Sequence, residues 1–157
     1  GIIDITYNRG NSTIVVVDNS ITGMTGHQQN PSTGLTLKGE PTPIISIEKL
    51  CIAAGVMEEH VRVVDPFDMD GLEKILREEL EFNGPSVIIA RRPCALLKYV
   101  KRAPALKVDT DKCTGCRMCM GIGCPPITFA NGKAKIDPDT CVGCGLCADV
   151  CRFGAIQ

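Results

Sequence analysis

"KCTGCRMCMGIGCPP", Lys112 to Pro126, places four cysteines within a dozen residues, and "TCVGCGLCADVCRFG", Thr140 to Gly154, repeats the arrangement. Each run has the form C-x2-C-x2-C followed by a more distant fourth cysteine. The first run is Cys113, Cys116, Cys119 and Cys124; the second is Cys141, Cys144, Cys147 and Cys151. Three thiolates at that spacing can wrap one loop around a cube of iron and sulfide. The fourth ligand cannot easily come from the same tight turn.

In two-cluster ferredoxins the fourth cysteine crosses to the other cluster. On that pattern one [4Fe-4S] cluster takes Cys113, Cys116, Cys119 and Cys151, and the other takes Cys141, Cys144, Cys147 and Cys124. The crossing would staple together two halves whose own core is too small to be stable alone. Zinc sites pair two C-x2-C units far apart in sequence, so the triple spacing fits zinc poorly. Clustered cysteines in a chain of this kind point to metal rather than disulfides, and to a reducing, cytoplasmic setting. Two details depart from the commonest pattern. Four residues separate Cys119 from Cys124, which is expected to bulge the loop around Gly121 and Gly123. Arg152, not proline, follows Cys151, and its positive charge is expected to favour the reduced cluster.

The rest of the composition sets limits. The 157 residues carry 17 basic and 18 acidic side chains, so net charge gives no argument for nucleic acid or a membrane surface. From residue 104 onward six basic residues face five acids; two loaded clusters would make that module net negative, roughly −3. No apolar run approaches the length of a membrane span. The chain opens at Gly1 without an initiator Met and reads as a piece of a longer polypeptide.

Composition shifts near residue 104. Before it the pattern is α/β. "STIVVVD", Ser12 to Asp18, is a β-branched run suited to a strand buried on both faces. "ISIEKLCIAAGV", Ile45 to Val56, has apolar residues at helical spacing and Gly55 to end the helix. A short strand is expected over His60 to Pro66. An Asp-capped amphipathic helix follows, then a third buried strand over Pro85 to Arg92. Strand, helix, strand, helix, strand implies a parallel sheet with crossovers. Cys51 reads as core and Cys94 as strand-end packing. The basic stretch "RRPCALLKYVKR" reads as a solvated helix face, and Ala103 to Lys112 as a linker and lead-in strand.

The long loop from Asn19 to Pro43 is the remaining functional candidate, because loops of that length inside compact domains are usually functional. It begins where the first strand ends, and open parallel sheets bind ligands beyond the carboxyl ends of their strands. On composition alone an ordinary polar loop is the favoured reading, ahead of a diphosphate–metal loop.

"VVVDNSITGMTGHQ", Val15 to Gln28, resembles the thiamine-diphosphate loop of the indolepyruvate ferredoxin oxidoreductase alpha subunits, within the 2-oxoacid:ferredoxin oxidoreductases. "RRPCALL" resembles that family's turn before its linker, and a two-cluster module ends the chain in both. Gly23 stands where the family usually has alanine, and Gln29-Asn30-Pro31 where it has Pro-His-Pro. The resemblance implies that residues 1–103 are the C-terminal part of a thiamine-diphosphate-binding domain. Residues 104–157 would then be a small α+β module resembling bacterial two-cluster ferredoxins. It implies that Asn19 gives a side-chain oxygen, and Ile21 a backbone carbonyl, to Mg2+. Met24, Thr25 and Gln28 would lie near the thiamine rings or the diphosphate. His27 is secondary, and Ile21, acting only through its carbonyl, should tolerate substitution.

The same resemblance implies a reaction. A 2-oxo acid, an aryl pyruvate such as indolepyruvate, is oxidatively decarboxylated to an acyl-coenzyme A. Electrons leave singly through the two clusters to an external ferredoxin. A smaller beta subunit completes a hetero-oligomer, with no role for nucleic acid or membrane. The family's acidic diphosphate motif and the partner domain that supplies the activating glutamate are not in this sequence, so the fragment alone is expected to be inactive. Two other readings stay open: an electron-transfer or scaffold subunit with a non-catalytic α/β part, and an oxidoreductase for pyruvate or 2-oxoglutarate.

Overall fold

A computed structural model describes residues 1–157 and divides the chain into two compact units, Gly1–Leu97 and Lys98–Gln157. The division falls before the compositional shift near residue 104, and the Ala103 and Pro104 carbonyls already lie against Gly143 of the second cysteine run. Lys107 and Gln157 exchange backbone hydrogen bonds, and Asp109 N–H donates to the Ala155 carbonyl at 2.7 Å. The lead-in strand is a single antiparallel bridge, Val108 to Ile156. No helix forms over Arg91 to Arg102: the strand runs through Arg91, Pro93 follows, and Leu97 N–H closes a turn on the Cys94 carbonyl.

The first unit is built on β1 (Ser12–Asp18), β2 (Val61–Val64) and β3 (Pro85–Arg91), all parallel, in the order β1-β3-β2. The central strand is therefore the last in sequence. β3 is buried on both faces, with Val87, Ile88 and Ile89 inaccessible to solvent. β1 is an edge strand: Val15 is 52% and Val17 81% exposed. The expectation that the Ser12–Asp18 run is buried on both faces is thus corrected. β-branched composition favours a strand but does not say whether it lies at the centre or the edge.

Helices cover both faces. On one face α1 (Ile2–Tyr7) and α2 (Ile47–Ala53) bring Ile2, Ile47, Cys51 and Val56 against Ile14, Val16, Val87 and Ile89. α2 starts later than its apolar spacing implies, because the Ser46 side chain caps it by accepting from Lys49 N–H. It ends where expected. Gly55, at φ +99°, donates to the Ile52 carbonyl, and Val56 N–H reaches the Cys51 carbonyl. That paired closure needs a left-handed residue and brings Val56 back onto Cys51 in the core. On the other face α3 (Met69–Glu81), capped by Asp68, docks at the start of the strands, where Thr13 Oγ1 donates to the Glu79 carbonyl. The buried Glu79 carboxylate is satisfied by Arg62 at 3.1 Å and His60 Nδ1 at 2.8 Å.

At the opposite, carboxyl end of the sheet, Arg91 bridges Asp18 on β1 and Glu48 on α2, each at 2.7 Å. The Arg91 guanidinium, with the backbone N–H of Glu48 itself and the Ser46 hydroxyl, holds the Glu48 carboxyl well below the usual range, at about 2. A depressed carboxyl contributes stability that is present above its ordinary value of 4.5 and is lost as pH falls toward 2. Arg91→Met is therefore expected to lower the melting temperature near neutrality and to flatten its fall between about pH 4.5 and 2. Thermal denaturation across that window measures both effects.

The second unit holds an antiparallel hairpin, β4 (Ile127–Ala130) and β5 (Lys133–Ile136), and a short α4 (Leu146–Asp149). The hairpin turns on Asn131-Gly132, both left-handed at φ 51° and 77°, which is the two-residue turn that matches strand twist. Its core is small: Cys119, Ile127, Ala134, Ile136, Cys147 and Ile156 are the buried members, and seven further cysteine-run residues pack against them only in part.

Candidate functional site

The two cysteine runs fold into matching loops. Gly115 and Gly143 are left-handed at φ 74° and 70°, and the next such position holds Arg117 in the first loop and Gly145 in the second, at φ 62° and 89°. These turns direct three successive thiols of each run inward. Cys113, Cys116, Cys119 and Cys151 line one small cavity, together with Phe129, Val108 and Phe153. Cys124, Cys141, Cys144 and Cys147 line a second, of about 230 Å3, walled by Leu106, Ile122, Pro125, Pro126, Ile127, Ile136, Val142 and Leu146. The fourth cysteine of each run thus sits with the other run's triplet. The extra residue between Cys119 and Cys124 is taken up by a 3-10 turn, Met118–Ile122, that ends at left-handed Gly123. Gly121 has no such conformation.

Electrostatics follow the same grouping. Burial pushes the Cys119 thiol up, and the thiols of Cys116, Cys151 and Cys113 push it further. Burial likewise raises Cys147, with Cys144, Cys124 and Cys141 adding to it, and raises Cys124, with Cys144 and Cys141 adding to it. Four thiolates held this close in an apolar wall repel one another unless a cation pool sits between them. Cys113 differs: backbone N–H groups of Ala134 and Gly115 and the charge of Lys133 hold it below the ordinary thiol value. Ala155 N–H points at Cys151 Sγ at 3.4 Å. No three His, Cys, Asp or Glu side chains converge closely enough to hold a single ion. The thiols stand around the walls of cavities, as a polynuclear cube requires. Soft thiolates in this arrangement fit iron–sulfur ligation.

In the first unit the candidate loop leaves β1 through two successive side-chain turns. Asp18 Oδ1 accepts from Ser20 N–H and Asn19 Oδ1 from Ile21 N–H, with Ser20 left-handed at φ 59°. An open cleft of about 430 Å3 lies here, at the carboxyl end of the sheet, with Asp18, Asn19, Ile21 and Thr22 on one side and Ile45, Ile47 and Leu50 on the other. Asn19 is exposed, and its amide oxygen keeps a second lone pair. With the Ile21 carbonyl it gives the hard oxygen donors that magnesium prefers. The Ile21 side chain, however, is buried. The expectation that its substitution is tolerated is corrected: truncating it removes a packed core contact.

Thr22 and Gln28 exchange two backbone hydrogen bonds at 3.0 Å and close the tip of the loop. Within that tip Met24 is fully exposed, and Thr25 donates to Gln28 Oε1 at 2.7 Å. Met24, Thr25 and Gln28 therefore do not line the cleft. His27 is exposed and left-handed at φ 59°. Cys51 is core.

Sequence reasoning missed what fixes the loop. Arg92 N–H donates to the Asp18 carbonyl and Cys94 N–H to the Asn19 carbonyl, so the turn after β3 clamps the first residues of the loop. Arg91, the last residue of β3, holds the Asp18 side chain. The only signal for this was the paired arginines after a buried strand.

The family of thiamine pyrophosphate enzymes, C-terminal TPP-binding domain, matches residues 1–90. The chain belongs to that family. The 4Fe-4S binding domain family matches residues 134–157, the second cysteine run with the strand before it. Over 96% of its length this thiamine pyrophosphate family member is 46% identical to the indolepyruvate oxidoreductase subunit IorA of Pyrococcus abyssi, covering 24% of that protein. It is 39% identical over 99% of its length to IorA of Archaeoglobus fulgidus, covering 26%. Over 60% of its length it is 33% identical to the 2-oxoglutarate synthase subunit KorB of Archaeoglobus fulgidus, covering 37%. The chain thus spans about a quarter of the length of the curated IorA relatives it matches. It is related to them over 96–99% of its length, and its own parts are a thiamine pyrophosphate domain followed by a 4Fe-4S binding module. No helix is long and apolar enough to cross a membrane.

Proposed function

We infer that this chain is the C-terminal part of a thiamine-diphosphate-dependent indolepyruvate (aryl pyruvate):ferredoxin oxidoreductase. Its substrates are a 2-oxo acid and coenzyme A, and its product is an acyl-coenzyme A. Electrons pass through two [4Fe-4S] clusters to an external ferredoxin. The observation that carries this reading is the fusion of a thiamine pyrophosphate domain to two crossed cysteine quartets in one short chain. Bound thiamine diphosphate supplies decarboxylation and leaves two electrons to be removed, and iron–sulfur cubes accept electrons singly.

The chain's own residues take defined parts in that work. Asn19 Oδ1 and the Ile21 carbonyl hold Mg2+ at the carboxyl end of β1, and the turn Arg91–Cys94 keeps them in place. Met24, Thr25 and Gln28 form the tip of the loop, which faces solvent in this structure and meets the thiamine only when the rest of the enzyme is present. Cys113, Cys116, Cys119 and Cys151 hold one cluster; Cys124, Cys141, Cys144 and Cys147 hold the other. The apolar walls keep water from the buried Cys119 and Cys147, and backbone N–H groups directed at Cys113 and Cys151 stabilise added negative charge. A smaller beta subunit completes a cytoplasmic hetero-oligomer.

The test is an anaerobic assay of the full-length complex with a panel of 2-oxo acids, coenzyme A and a viologen acceptor. Indolepyruvate is expected to give the highest kcat/KM. Preference for 2-oxoglutarate would move the enzyme toward the KorB-like branch that the shorter match favours. No turnover with any 2-oxo acid, despite bound thiamine diphosphate and full iron, would leave an electron-transfer subunit.

A further inference from the structure

The two cysteine quartets are near copies in backbone but not in charge. Lys112, Arg117 and Arg152 each adjoin a cysteine of the quartet Cys113, Cys116, Cys119 and Cys151. No charged residue adjoins any cysteine of the other quartet. The acids do not offset this difference. Asp111 and Asp149 stand two positions from first-quartet cysteines, and Asp139 and Asp149 two positions from second-quartet cysteines. A fourth cation joins the first quartet in space, because Lys133 Nζ donates to the Cys113 carbonyl.

Exposure is equally one-sided. Cys116 is the one exposed cysteine of the chain. Around it Arg117, Met118 and Phe153 form the rim of the first cavity, with Met118 38% and Phe153 49% exposed, and Arg152 exposed beside Phe153. Arg117 is held in a left-handed conformation, and its guanidinium lies 4.2 Å over the Phe129 ring, which fixes a positive charge at the rim. The second cavity is walled almost wholly by aliphatic side chains and proline.

We propose that the face around Cys116, carrying Arg117, Met118, Arg152 and Phe153, is where a small acidic iron–sulfur carrier docks to take electrons from the first quartet's cluster. The proposal rests on the reading of the two quartets as cluster ligands, and adds the exit point and the direction of flow. Cations beside the first quartet stabilise the extra negative charge that comes with reduction, so its cluster has the higher potential. An electron reaching the second quartet therefore moves downhill to the first. Two loaded clusters leave this module net negative as a whole, so the local positive charge of Arg117 and Arg152 is what lets an acidic carrier approach the first quartet. Exposed Met and Phe among arginines make the apolar centre of a small transient contact, the size class of redox encounters. Each encounter oxidises the first quartet's cluster by one electron and reduces the carrier by one; two encounters drain the pair left by each decarboxylation.

The experiment uses the full-length iron-loaded complex and an acidic two-cluster ferredoxin as probe, with affinity measured by calorimetry against salt concentration. Wild-type binding is expected to weaken as salt rises. Arg117→Glu/Arg152→Glu should weaken it by about tenfold at low salt and flatten the salt dependence. Lys49→Glu/Lys74→Glu, with the same change in net charge in the other unit, should bind as wild type. Redox titration followed by electron paramagnetic resonance should find the double variant's first-quartet potential lowered toward that of the second. If Arg117→Glu impairs iron loading, Arg152→Glu/Phe153→Ser tests the same face without touching the strained Arg117, and should weaken binding to a similar degree. Unchanged binding by these variants, or equal weakening by the lysine control, overturns the docking face alone. A wild-type complex that holds full iron and binds no acidic ferredoxin at any salt overturns the face and the proposed acceptor together.

Discussion

Cys151→Ala is expected to cost the chain the cluster of the first cysteine run, although Cys151 lies in the second. Iron should fall from about eight to about four per chain, and the surviving signal should belong to Cys124, Cys141, Cys144 and Cys147. The reason is geometric. Cys151 lines the same cavity as Cys113, Cys116 and Cys119, and its thiol contributes to the raised value of Cys119. Cys147, four residues earlier on α4, lines the other cavity. Double variants separate crossing from general damage. Cys151→Ala/Cys113→Ala should lose no more iron than either single change, because both thiols serve one cluster. Cys151→Ala/Cys141→Ala should retain almost none. Cys124→Ala should mirror Cys151→Ala and strip the second run's cluster. If each run instead held its own cube, Cys151→Ala would spare the first run and Cys151→Ala/Cys141→Ala would be no worse than Cys141→Ala. The lost iron should also loosen the second unit. That unit is only 60 residues, Lys98 to Gln157, and two of its buried core members, Cys119 and Cys147, are themselves cluster cysteines.

The features legible in the sequence are those set by residues close together in it. Thiol spacing within a run is local, and so is the closure of α2 by Gly55. What depended on distant residues was not legible. The runs at Ser12–Asp18 and Pro85–Arg91 look alike in composition, yet the second is the buried centre of the sheet and the first is an edge. That difference is decided by where the crossovers place each strand. The clamp on the candidate loop joins Arg91 to Asp18 across 73 positions and to Glu48 across 43, so no local pattern marks it. The Asn131-Gly132 hairpin is a different kind of miss: its two-residue turn between alternating strands is a local signal that was passed over. Arg117 is similar. Superimposing the two cysteine runs puts it where the second run has Gly145, which marks a left-handed position filled at a cost.

That superposition carries the second large expectation. Gly143→Ala should abolish the second run's cluster, whereas Gly145→Ala, two residues away, should be mild. Both glycines are left-handed, at φ 70° and 89°, so both substitutions incur a conformational penalty of roughly 1–2 kcal/mol. Only one incurs more. A Cβ on Gly143 would sit 2.5 Å from the Pro104 carbonyl oxygen and 2.6 Å from that of Ala103. These are backbone atoms and cannot swing aside as a flexible side chain would. To admit the methyl group, either the 103–104 segment lifts away or the loop carrying Cys141 and Cys144 opens. In the second case the quartet is no longer closed. A Cβ on Gly145 meets nothing within 4 Å, and the first loop already carries Arg117 at the matching position. Gly121→Ala, with neither a left-handed backbone nor a close neighbour, is the neutral reference. Iron content and thermal stability of the three variants should therefore rank Gly121→Ala, Gly145→Ala, Gly143→Ala, with the iron loss confined to the last. Gly115→Ala should repeat the effect at the first run, since its Cβ would collide with the Gly132 carbonyl at the hairpin turn. Equal losses for Gly143→Ala and Gly145→Ala would mean that left-handed strain alone sets the cost, and that the close approach of segment 103–104 to the second cysteine loop carries no weight.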